Sequence, residues 1–131
     1  MSFLAPGRAR RSLEGEPGRG AEGEVMPKYL IAASYTHQGL QGVMREGGTG
    51  RRAALEKAIQ GVGGKLETFY FAFGDDDIYL ICDAPDNASV ASVALAAGAA
   101  GGATTKTIVL LTPEEVDEAT RKSVDYRPPG G

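Results

Sequence analysis

Apolar and β-branched positions are densest in Lys65–Asp83, KLETFYFAFGDDDIYLICD, where two strand-like runs flank a Gly-Asp-Asp turn. Runs of this composition on either side of turn residues predict a β-hairpin, and their hydrophobicity places it in the middle of a sheet. A three-residue loop at Gly74–Asp76 pairs Phe73 with Asp77, Phe71 with Tyr79 and Phe69 with Ile81 on one face. The other face then holds Tyr70 opposite Leu80, Ala72 opposite Ile78 and Thr68 opposite Cys82. A two-residue loop mixes these sets, because a slip of one residue turns each side chain over. Either register leaves both faces apolar, whereas a single antiparallel layer normally shows one polar face.

The rest of the chain supplies the partners. Lys28–Tyr35, KYLIAASY, alternates as a half-buried strand, and Thr36-His37-Gln38-Gly39 breaks it and leads toward a helix. The glycines at 47, 48 and 50 predict a loop or a poorly formed first turn. From Arg51 to Val62, Ala54, Leu55, Ala58, Ile59 and Val62 fall at helical spacing, and Gly63-Gly64 ends that helix. Asp86 is an N-cap for an alanine-rich helix over Asn87–Gly98. Thr104–Leu111 reads as a fourth strand, and Thr112-Pro113-Glu114-Glu115 as a capping box opening a short helix to about Lys122. The order βαββαβ plus a terminal helix predicts an α+β, ferredoxin-like fold with a four-stranded antiparallel sheet.

Two helices cover one face of such a sheet, which leaves Phe69, Phe71, Phe73, Tyr79 and Ile81 uncovered under the first register. Burying each contributes about 1.5–3 kcal/mol. Summed over two protomers this exceeds an association cost of about 4–15 kcal/mol. A homodimer through an apolar sheet face is therefore expected, with the Ala72/Ile78/Cys82 face under the alanine-rich helix.

Composition narrows the function classes. The chain has 131 residues and a formal net charge of −3, which fits one domain and no nucleic-acid footprint. The lone Cys82 excludes an internal disulfide and cysteine-based metal clusters, and suggests a reducing compartment, hence the cytoplasm. No apolar run reaches membrane-spanning length, so no membrane partner is expected. Residues 1–25 balance arginines against glutamates with little to bury, and are expected to be a disordered extension, with Met26 an alternative start. The domain is expected over 26–123 and a frayed tail over 124–131.

The segments MPKYLIAASYTHQG (Met26–Gly39), GGKLETFYFAFGDDD (Gly63–Asp77), IYLICDAPD (Ile78–Asp86) and TTKTIVLLTPEE (Thr104–Glu115) resemble the GYD domain family. The resemblance implies the dimeric α/β-barrel architecture and a homodimer, with no established reaction. The family's Gly-x-Tyr-Asp corresponds to Gly74-Asp75-Asp76-Asp77, so Asp76 stands where tyrosine is usual. Proteins of that architecture include cofactor-independent oxygenases, isomerases, haem enzymes and stress-associated proteins, so the fold alone selects no chemistry.

Candidate chemistry is sparse. His37, the only histidine, is a candidate general base, weighed against a surface histidine beside a helix start. Thr36 and Gln38 are candidate lining for the same pocket, and Tyr70 and Tyr79 candidate ligand donors that are more often core or interface residues. Asp75, Asp76 and Asp77 lack the spacing of a calcium loop and read as a solvated turn, and no metal site is expected. Arg45, Arg51 and Arg52 could hold an anion near a helix start, against a solvated helix face. No glycine run has the context of a nucleotide-binding loop, and no cofactor is expected. The leading expectation is a homodimeric module that binds a small apolar or aromatic molecule, or a protein partner. The alternative is a cofactor-independent oxygenase- or isomerase-like enzyme with His37 as base.

Overall fold

A computed structural model describes residues 26–131, so the expectation for residues 1–25 lies outside the described part of the chain. The elements run β1 (Lys28–Tyr35), α1 (His37–Gly61), β2 (Lys65–Phe71), β3 (Ile78–Asp83), α2 (Asn87–Ala99), β4 (Ala103–Leu110) and α3 (Pro113–Thr120). The strands form one antiparallel sheet in the order β2-β3-β1-β4, the ferredoxin-like arrangement anticipated from the element order.

Local chemistry explains the boundaries. Thr36 caps α1 by accepting from the Gly39 amide at 3.1 Å, and Asp86 caps α2 by accepting from Ser89 N at 2.8 Å. Thr112 and Glu115 form the reciprocal capping box of α3, with Pro113 in its first turn. The glycine stretch at 47–50 is not the loop expected of it. α1 starts at His37 and runs through that stretch with a kink at Gly47, whose φ of 80° and ψ of 170° interrupt the helix for one residue. The cap at Thr36 nucleates the helix early, and glycine absorbs the break.

The hairpin register differs by one residue from that expected. Tyr70 pairs with Tyr79, Phe69 with Leu80 and Phe71 with Ile78, and a bulge separates Leu66 from Thr68. Asp77 donates from its amide to Ala33 O and accepts the Tyr35 amide on its carboxylate, both at 2.8 Å. The Asp76 carboxylate accepts from Ser34 Oγ at 2.8 Å, Lys106 Nζ at 3.2 Å and Tyr79 Oη at 3.4 Å. Both acids are thus tied to the sheet, so the solvated-turn reading fails for them. The loop lengthens, and Phe73 points fully into solvent.

The slip divides the aromatic set. Phe69 and Phe71 pack edge to face with centroids 5.2 Å apart, on the side of Ile78 and Leu80, and a side chain on Gly48 of α1 would touch the Phe71 ring. They therefore belong to the helix side and not to a partner-facing surface. Tyr29, Ile31, Ala33, Ile78, Leu80 and Cys82 build the core there, with Ile59 of α1 and Val90 of α2. The opposite face carries Tyr70, Tyr79 and Ile108 exposed, with Leu30 and Ile81 half-buried beside them. Lys28 bridges that face, meeting Glu67 at 2.6 Å and Asp83 at 2.8 Å, and these hydrogen bonds, Asp83 first, raise its pKa.

Candidate functional site

The helix-side core is not filled along its whole length. A cavity of about 550 Å³ lies between the sheet and the two long helices, a size typical of small-ligand sites. Its floor is Ile31, Ala33, Tyr35, Ile78 and Leu80, and its walls are Ala54, Leu55 and Ala58 of α1 and Val93, Ala96 and Ala97 of α2. These alanines of both helices border open space. Several of them are solvent-exposed, so small side chains keep the cavity accessible.

One end is built by a backbone clamp. The Thr36 amide donates to Gly102 O at 2.9 Å, and the Thr36 hydroxyl reaches Gly101 O and Gly102 O. Gly39, in the first turn of α1, lies so close to the Gly102 carbonyl that any side chain there would collide with it. The clamp brings Tyr35, Gln38, Arg45 and Arg51 to the cavity lining.

Two polar atoms at this end have no hydrogen-bond partner among the described residues, the Tyr35 hydroxyl and Arg51 Nε, and both are buried. Such groups are rare, and each costs about 1–3 kcal/mol of desolvation when left unmade. Arg51 uses another nitrogen, Nη1, to meet Glu46 at 3.2 Å, which leaves Nε free. Burial, reinforced by the carboxylates of Glu46 and Asp77 and opposed by the Arg51 guanidinium, pushes the Tyr35 phenol up to about 12. Tyr35 is therefore a neutral donor at physiological pH and not a base.

The candidates from the sequence fall in different places. Gln38 borders the cavity. Thr36 is the cap and clamp at its end, with its hydroxyl already committed. His37 is exposed at the start of α1 and is not part of the lining. Tyr70 and Tyr79 stand opposite each other on the uncovered face of the sheet. Among the described residues, no group of histidine, cysteine and acidic side chains could hold a metal ion.

Of the three arginines considered as anion holders, Arg45 and Arg51 line the cavity and Arg52 does not, while Tyr35 was legible only as a member of a pattern. Tyr35 continues the alternation of Tyr29, Ile31 and Ala33, and Arg51 stands four residues before Leu55 on the apolar stripe of α1. A polar residue that extends an apolar face was the available signal.

Fold and cavity together define a ferredoxin-like α+β domain with a small-molecule-sized pocket under its helices. The GYD domain profile matches residues 29–120, and the chain belongs to that family. Among solved structures, the crystal structure of MtbAldR matches at 18% identity and a TM-score of 0.47, covering 75% of this chain. The match spans 60% of that protein's chain. A comparison with curated proteins finds no match.

Proposed function

We propose that this domain binds a small molecule with an apolar body in the cavity between the sheet and helices α1 and α2. The observation that carries this is a largely apolar cavity of small-molecule size with Gln38 and two arginines in its lining. An apolar ligand gains from leaving water, and a single polar group on it would meet Gln38 or an arginine of the lining. No helix among the described residues is long and apolar enough to cross a membrane. The free, buried thiol of Cys82 supports a reducing, cytoplasmic setting.

The test uses a neutral probe whose fluorescence rises on burial, N-phenylnaphthylamine. Wild-type protein enhances its emission saturably, and Ala97→Phe, which projects a ring into the cavity, abolishes the enhancement. Enhancement that survives Ala97→Phe but disappears with Tyr79→Ser would place binding on the other face and refute the proposal.

Assembly is a second part of the reading. The uncovered face, with Tyr70, Tyr79 and Ile108 exposed, supports a homodimer joined through it. Sedimentation at micromolar concentration should give a dimer that Ile108→Lys converts to monomer. A monomeric wild-type protein would remove this part and leave the cavity untouched.

A further inference from the structure

The charge of the cavity lining goes beyond size and apolarity. Its charged members are Arg45 and Arg51, and no aspartate or glutamate lines it, although the chain as a whole is acidic. The carboxylate that pairs with Arg51, Glu46, stands outside the lining. Nε and the Tyr35 hydroxyl have no acceptor among the described residues and are closed off beneath the lining, whereas the Arg51 side chain as a whole is 33% exposed and its guanidinium can take a further acceptor. Gln38, at the same end, adds an amide that can donate.

We propose that the ligand is an amphipathic monoanion, an aryl or alkyl carboxylate, whose head pairs with the exposed part of the Arg51 guanidinium. Its apolar body then lies along Ala54, Ala58, Val93 and Ala97. This rests on the small-molecule reading above and adds the chemical class. A neutral amide offers one carbonyl acceptor and brings donors that meet no acceptor on the two arginines. A carboxylate offers two acceptor oxygens to a donor-rich end, and its hydrogen bonds there are charge-assisted. A phosphate monoester carries more charge than one guanidinium already paired with Glu46 can answer, so a single negative charge fits better. Arg45 supplies longer-range attraction at the rim, where its exposed head is hydrated.

The decisive comparison is calorimetric titration of the full chain with naphthoate and with naphthamide, which share a body and differ in head. Naphthoate should bind the wild-type protein at least about tenfold more tightly, the ratio expected of charge-assisted bonds over neutral ones. Arg51→Gln should weaken naphthoate by about tenfold and leave naphthamide within about twofold, whereas Tyr35→Phe, which removes a hydroxyl closed off from the cavity, should leave both within about twofold. Thermal melts of both variants check folding, and Arg45→Gln, at the rim, provides a second variant with a smaller loss that is screened by salt. Equal affinity for acid and amide overturns the anionic head, and a preference for the acid that survives Arg51→Gln overturns its placement at Arg51, each while leaving the cavity reading intact. Failure of both ligands and of the neutral fluorescent probe overturns the two together.

Discussion

The two ends of β1 carry a tyrosine each, on the same face of the same strand, and the two are treated differently. Tyr29 is buried to 1% exposure, and its hydroxyl donates to Asn87 Oδ1 at 2.7 Å. Around it lie Cys82, Ala84 and Val90, packed into a closed core. Tyr35 is also turned toward the helices and borders the space between α1 and α2, but its hydroxyl is buried without a partner. One fold thus completes its polar bonds at one end and leaves them incomplete at the other. A satisfied polar group belongs to a closed core, and an unsatisfied one marks the end that is packed less completely.

Four substitutions or titrations sharpen this contrast. The largest effect is expected from Gly39→Val at the Tyr35 end, where the new side chain would run into the Gly102 carbonyl. Denaturant unfolding should show a loss of about 2–3 kcal/mol, and ligand affinity should fall with it because the clamp holds Gln38 and Tyr35 in place. Next come the paired deletions Tyr29→Phe and Tyr35→Phe. The first breaks a made hydrogen bond and should cost about 1 kcal/mol, whereas the second removes an unmade one and should be neutral or stabilising. Equal losses from the two would erase the distinction between the ends.

Alkaline titration gives a smaller effect of fixed sign. The Tyr35 phenol is raised from 10.0 to about 12, so between these values the folded state holds a proton that the unfolded state has released. Stability should therefore fall as pH rises through that window, and Tyr35→Phe should reduce the slope. Tyr29, raised chiefly by burial, contributes in the same direction and remains as a background. Smallest is the acid side. Hydrogen bonds from Ser34 and then Lys106 lower the Asp76 pKa, so its contribution is present above the ordinary carboxylate range and is lost as pH falls through the folded value. Asp76→Asn should flatten the acid limb of the stability curve.

Much of the fold was legible because each signal was local. The alternation of Lys28–Tyr35, the Asp86 and Thr112 caps and the Val90-bearing helix all rest on neighbours within a few residues. What failed depended on distant contacts. The hairpin register follows from Asp76 reaching Ser34 and Lys106 and from Asp77 reaching β1, and a sequence pattern carries no sign of bonds across so many residues. Gly47–Gly50 looked like a helix breaker, yet one residue absorbs the break. The site was half visible. Gln38, Arg45 and Arg51 were candidates and border the cavity, while Tyr35 lay inside an apolar strand whose partners only the fold brings together.

The most direct measurement is an amide-resolved NMR titration of the full chain with naphthoate. Binding in the cavity predicts shifts at Tyr35, Gln38, Arg51, Ala97 and Thr105, with Tyr29, Tyr70 and Ile108 unmoved. Shifts centred on Tyr70 and Ile108, or at the Tyr29 end, would contradict the account.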